Sequence, residues 1–204
     1  VSMFCSSCSD ESGGTKILNR AQSIETFVKD VWIQSSMWTK LVRTSSWTNL
    51  KFDVDIECGE DVLMTWNLLN KIDRIGIIEG DFYYYRNNPN SITSGHFSDR
   101  IYSMHLVWDK IVDNCHQQFP ELESLAIQKQ MQCYEGLLCL AVKSRINSDS
   151  RISNIRNNIR RNIHLLFAKG KSIKYVSFML LSTYFYDMTR TLFSRYISHI
   201  NTIR

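Results

Sequence analysis

Apolar positions recur at helical spacing early in the chain, where Ile24, Phe27, Val28, Val31 and Trp32 share one stripe. This stripe predicts a helix from about Ser23 to Ser35, with Ser23 as its cap. Val62, Leu63, Trp66 and Leu69 repeat the pattern behind two acidic residues and predict a second helix from Glu60 to Asn70. The run Arg74-Ile-Gly-Ile-Ile-Glu-Gly-Asp-Phe-Tyr-Tyr-Tyr-Arg86 reads as two short strands around Glu79, Gly80 and Asp81, followed by a turn over Asn87 to Asn90 that contains Pro89. From about Phe97 the strand signals stop. Helical periodicity then covers about 98–118, 120–144, 149–168 and 173–199, with Pro120 suited to a first turn, Gly136 a cost within the second helix and Gly170 a stop for the third. Ile152, Ile155, Ile159 and Ile163 form a stripe along the third of these helices. The pattern predicts an α+β chain, with a mixed region over residues 1–96 and a helical region over 97–204.

Composition agrees with a folded chain. Of 204 residues, 44% are hydrophobic, 22% are charged and only two are proline, enough to bury one substantial core, or a small domain with a helical extension. Six cysteines lie at positions 5, 8, 58, 115, 133 and 139. A chain this large does not need cross-links, so they read as isolated core thiols of a reduced, intracellular protein. Cys5 and Cys8 have the gap of a zinc or redox pair, but no second close pair completes a structural zinc site. The opening residues carry no basic leader followed by a long apolar stretch and are compatible instead with a strand entered in mid-domain, and no run reaches the roughly eighteen apolar residues of a membrane span.

Net charge changes the picture more. Residues 1–140 hold 12 basic and 18 acidic side chains, a balance of −6, whereas 141–204 hold 12 and 2, a balance of +10. A basic tail attracts nucleic acid, an anionic lipid surface or an acidic partner, and charge does not choose among them. Arg151, Arg156, Arg160 and Arg161 come with no helix-turn-helix, zinc-finger or RNA-binding signature, which argues against nucleic acid. Arg160 and Arg161 beside Leu165, Leu166 and Phe167 better suit a membrane surface or a protein contact. Packing against a catalytic domain explains them too, and a homo-oligomer is compatible with the sequence.

The densest chemistry lies between Trp38 and Thr93, where aromatics, paired carboxylates and an arginine-bearing turn come together. On residue types, Glu60-Asp61 reads first as helix-start electrostatics and only second as a catalytic element. The order and spacing of Met37-Trp-Thr-Lys-Leu-Val-Arg43, Leu50-Lys-Phe52, Gly59-Glu-Asp-Val-Leu-Met-Thr-Trp66 and Phe82-Tyr-Tyr-Tyr-Arg-Asn-Asn-Pro-Asn-Ser-Ile-Thr93 resemble the bacterial family-2 glycosyltransferases. Those are inverting enzymes of the GT-A fold that build envelope glycans. The resemblance implies that residues 1–96 are the C-terminal part of a GT-A-like (Rossmann-like α/β) catalytic domain and that 97–204 are a helical extension, packed on that domain or peripheral to a membrane.

The resemblance also implies roles. Asp61 would be the base that deprotonates the acceptor hydroxyl, with Glu60 organising the pocket. Arg86 would clamp the donor diphosphate, with Ser91 or Thr93 as hydroxyl contacts, and Trp38 and Lys40 would line the acceptor cleft, although Trp38 reads first as a core-packing residue. His96 is a weaker candidate metal ligand, since a lone histidine after a Ser-Gly pair reads first as exposed or structural. Asp53-Val-Asp55 spells the family's donor-metal motif but follows the Trp-x-Lys-Leu element, the wrong order, so it reads as a decoy. The nucleotide-binding half is not in this sequence. The expectation is therefore the C-terminal portion of a nucleotide-sugar-dependent enzyme for envelope or exopolysaccharide synthesis, inactive by itself. Mg or Mn would join the complete enzyme, a nucleotide sugar would be the donor, and a glycan or lipid-linked glycan the acceptor. Its expected location is cytoplasmic, peripheral at the inner face of the plasma membrane. The competing reading is a noncatalytic binding or assembly module that uses the basic helical surface.

Overall fold

A computed structural model describes residues 2–5, 16–30, 33–79, 84, 96–167 and 171–193. Strands β1 (Ser2–Cys5), β2 (Lys16–Asn19), β3 (Lys40–Leu41) and β4 (Arg74–Glu79) form one mixed sheet in the order β2-β4-β1-β3. β4 runs parallel to β1, and the edge strands β2 and β3 run antiparallel to their neighbours. β4 is a near-continuous apolar run, as a central strand should be. Its alternate residues Ile75 and Ile77 are buried beneath helices α1 (Arg20–Val28) and α2 (Glu60–Lys71).

α1 starts three residues earlier than the apolar stripe suggests. Asn19 is the cap: its side chain accepts from the Gln22 amide at 2.9 Å, and the Gln22 side chain accepts from the Asn19 amide at 3.0 Å. Ser23, expected at the cap, is buried inside the helix and donates its hydroxyl to the Asn19 carbonyl. The helix stops at Val28 because Asp30 turns the chain through a positive φ of 59°. Residues 33–35, expected to be helical, lie in a loop, and Val31 and Trp32 lie outside the described residues. α2 matches its expected span with one more residue, and Trp66 packs between Phe27 and Phe119 at ring separations of 6.2 Å. Of the two strands expected over 74–86, the first is β4, and the second falls outside the described residues apart from exposed Tyr84.

The helical region differs from its expected outline at three joints. The helix expected over 98–118 is broken into α3 (Asp99–Tyr102) and α4 (Met104–Gln118) at the buried Ser103. α5 (Pro120–Lys143) carries proline in its first turn as expected, and α6 (Ser150–Arg161) is capped by Asp149, whose carboxylate accepts from the Ile152 amide at 3.0 Å. A 3-10 turn over Ile163–Phe167 replaces the last expected turns of that helix. α7 (Ile173–Tyr184) ends at Phe185, and helix resumes over 186–193. Buried Tyr186 holds this joint by donating its hydroxyl to the Ile146 carbonyl at 2.9 Å.

Among the described residues two apolar cores result. The first joins α1, α2 and β4 to α4 and the start of α5 through Val107, Ile111, Cys115, Leu122 and Ala126. The second joins the rest of α5 to α6 and α7, with Ile152, Ile155 and Ile159 fully buried as their stripe requires and Ile163 half-buried. The first core thus continues past residue 97, because the long α5 crosses both. Across the second, Glu135 on α5 is buried and held by Lys171 at 2.5 Å and by the Tyr175 hydroxyl at 2.6 Å, so its charge is paired as burial demands.

Candidate functional site

The start of α2 is shaped by Arg100, Ser103 and Val107. Gly59, its N-cap, has φ +83°, and a Cβ there would sit 3.3 Å from a Val107 methyl carbon on α4. A side chain would be strained by the backbone and crowded by that contact, so glycine is required on both counts. Just before it, the amides of Glu57 and Cys58 donate to the Ser103 hydroxyl at 3.0 and 3.3 Å, and that hydroxyl donates to the Arg100 carbonyl. Arg100 returns a hydrogen bond from its Nε to the Glu57 carbonyl at 3.1 Å. The break between α3 and α4 is therefore a shelf that fixes the entry to Gly59-Glu-Asp.

Asp61 is half-buried in the first turn of α2. Burial, reinforced by the adjacent Glu60, raises its carboxyl above the usual carboxylate range, while the α2 backbone amides and Lys40 pull the other way. Lys40, at the start of β3, is held down to about 8 chiefly by burial, with Asp61 opposing. Its ammonium donates to the Gln34 carbonyl at 2.5 Å, the Ser36 carbonyl at 2.7 Å and the Thr39 hydroxyl at 3.3 Å. An ammonium has three donors, so all of them serve the protein. Lys40 thus ties down the 34–36 loop and acts on Asp61 through its field, and among the described residues it forms no ion pair within 4 Å. Thr65, one turn along α2, donates to the Ser35 carbonyl between those two at 2.7 Å.

The structure thus brings Asp61, Glu60 and Lys40 together, with Trp38 two residues from Lys40 in a 3-10 turn over Met37–Thr39. Trp38 is 48% exposed and so is not a core residue, contrary to the packing that its size suggests. Arg86, Ser91 and Thr93 lie outside the described residues. His96 is exposed, and no group of three or more histidine, cysteine or acidic side chains converges to hold a metal among the described residues. Asp53 is committed elsewhere: it pairs with Lys110 and accepts from the Asp55 amide at 3.0 Å, and the Lys110 hydrogen bond chiefly holds it below the ordinary carboxylate range. Sequence reasoning missed Ser103, Thr65 and the 34–36 carbonyls. The only legible signal was the glycine directly before two acidic residues.

Cys58, Cys115, Cys133 and Cys139 are free thiols. Burial pushes Cys115 up to about 11 and Cys133 up to about 12, so both stay protonated and inert at neutral pH. The basic tail also proves partly committed. Arg156 and Arg160 on α6 donate to the Thr183 carbonyl at 2.6 and 3.2 Å, closing the electronegative C-terminus of α7, and Arg151 bridges Asp149 and Asp99. No helix among the described residues is long and apolar enough to cross a membrane. No protein-family profile, curated protein or solved structure matches the chain.

Proposed function

We propose that this chain is the acceptor-side portion of an inverting, nucleotide-sugar-dependent glycosyltransferase of the GT-A class, acting on an envelope or exopolysaccharide glycan. The observation that carries the reading is Asp61: a half-buried carboxylate at a helix start, entered through an obligatory glycine and backed by a half-buried lysine, inside a motif series of family-2 order. In the reaction, Asp61 accepts the proton of an acceptor hydroxyl while that oxygen attacks the anomeric carbon. The nucleoside diphosphate leaves from the opposite face with the bonding electrons, which inverts the centre. Desolvation favours this role, because a carboxylate whose proton affinity is raised above the ordinary range is a stronger base. Lys40 stabilises the ionised form and holds the cleft wall. Glu60 organises the pocket, exposed Trp38 offers an aromatic edge to the acceptor, and Arg86 with Ser91 or Thr93 meets the donor diphosphate.

The Mg or Mn of such enzymes would sit with the donor-binding segment. The described residues supply no ligand set for it, and none of the steps above uses it. The test is Asp61→Asn in a complete enzyme that carries this chain behind a donor-binding segment. Single-turnover transfer should fall by about 10²- to 10⁴-fold while calorimetric donor affinity stays unchanged. Near-normal transfer by the variant would remove Asp61 as the base.

A further inference from the structure

At the far end of α2 from Asp61 lies a cavity of about 560 Å³. Ten residues of helix separate Asp61 from Lys71, about 15 Å at 1.5 Å per residue, so this cavity is not an extension of the carboxylate site. Its wall gathers Arg43, Lys71 and Arg74, together with the hydroxyl residues Ser45 and Ser46. The elements converge for local reasons. Arg74 opens β4 opposite Asn19, the last residue of β2, and Lys71 ends α2. Arg43 begins a 3-10 turn over Thr44–Trp47, which its carbonyl closes by accepting from the Ser46 amide at 2.9 Å.

The charge of this wall is unbalanced. Asp73, the carboxylate in the lining, is taken by Arg20 at 2.8 Å, and Arg20 also reaches the Ile72 carbonyl at the end of α2. Among the described residues Lys71 donates to the Thr48 carbonyl but has no carboxylate partner, and the guanidinium groups of Arg43 and Arg74 make no hydrogen bond or ion pair. Three like charges facing one cavity, with two guanidinium groups unspent, are the arrangement that an oxyanion relieves. Arginine's planar fork engages phosphate through two parallel hydrogen bonds, and neighbouring hydroxyls complete the shell. A concave site lined by one sign of charge also concentrates its counter-ion.

We infer that this cavity is an anion site for a phosphate or diphosphate ester, held by Arg43 and Arg74 with Lys71 in support. Its volume exceeds that of a diphosphate and leaves room for the attached organic group. The inference does not rest on the glycosyl-transfer reading, since it uses none of that site's residues. The experiment is a titration of the chain with pyrophosphate, following the arginine Nε–H resonances by NMR and the affinity by calorimetry, for wild type, Arg43→Ala/Arg74→Ala and Arg161→Ala. Arg43 and Arg74 are exposed, so the double variant should fold, which far-ultraviolet circular dichroism checks. Affinity should drop at least tenfold in the double variant and be unchanged in Arg161→Ala. Equal affinity in all three proteins, or no saturable binding to wild type, overturns the site. A second arm adds dihexanoyl phosphatidic acid to the pyrophosphate complex. Displacement assigns a lipid headgroup as the source of the phosphate, persistence assigns a soluble ester, and either outcome supports the anion site.

Discussion

At the scale of single residues, the informative group is Lys40, whose ammonium is spent on three oxygen atoms of its own wall. Its folded-state value is about 8 against an ordinary 10.5. Between those two values the unfolded chain holds a proton that the folded chain has given up. Stability must therefore rise with pH across that window, because the unfolded state binds more protons there. The gain should be of order 1–3 kcal/mol, since the group is largely but not wholly shielded. Tyrosines and thiols titrate in the same range, so the measurement is a difference: urea midpoints at the two ends of the window for wild type and for Lys40→Met. The upward slope should be larger in wild type than in the variant. Equal slopes would show that Lys40 keeps its ordinary affinity for protons. At this scale the sequence marked Asp61 and Lys40 as candidates in separate segments of one motif series, but it could not show that two of the lysine's donors face backbone carbonyls. A carbonyl has no letter of its own.

At the scale of elements, α5 offers a clean case, because Gly136 lies in its interior and a Cβ there would meet nothing within 4 Å. The glycine has a helical backbone and no packing reason to be small, so it only adds freedom to the unfolded chain. Gly136→Ala should raise stability by about 0.5–1 kcal/mol, read as a higher urea midpoint at unchanged slope. A loss of stability would mean that another surface approaches closely at that position. Gly59 differs on both counts, since its positive φ and the Val107 methyl 3.3 Å from a Cβ make it obligatory where Gly136 is removable. Periodicity made α2, α5 and the buried isoleucines of α6 legible, because each presents a continuous apolar stripe to one core. It misplaced the start of α1, since Asn19 and Gln22 form a reciprocal cap upstream of the stripe. It also missed the break at Ser103, where a hydroxyl leaves helical register to bind the entry to Gly59. Such polar joints carry no periodic signal. The sheet was legible in β4 and in the opening residues that form β1, but not in β3, which has two residues and draws its pairing from β1 rather than from its own pattern.

At the scale of the whole molecule, the excess of positive charge after residue 140 must be weighed against what the fold has already consumed. Arg151, Arg156 and Arg160 hold carboxylates or helix-end carbonyls, and Arg190 holds Asp187, so much of the basic character is internal. What the fold leaves outward is apolar: Ile173, Leu181, Tyr184, Phe185, Met188 and Leu192 are all more than two-fifths exposed along α7 and the helical residues after it. Lys174 beside this stripe and Arg161 at the end of α6 are also exposed. A bilayer interface suits such a face, where each nearby cation adds about 1 kcal/mol toward anionic lipid and the side chains supply the rest. The duplex-DNA alternative needs many unspent cations, and among the described residues of the tail the fold leaves few. The chain is therefore expected to float with anionic vesicles more than with neutral ones, and only part of that retention should be lost at high salt, because the apolar contribution is unscreened. Leu181→Glu/Phe185→Glu should abolish flotation at all salt concentrations without unfolding the chain, since both side chains already face solvent. Duplex DNA serves as the parallel probe. Retention by DNA with a steep salt dependence, combined with no flotation on either vesicle, would mean that the remaining cations rather than the apolar stripe define the surface's partner.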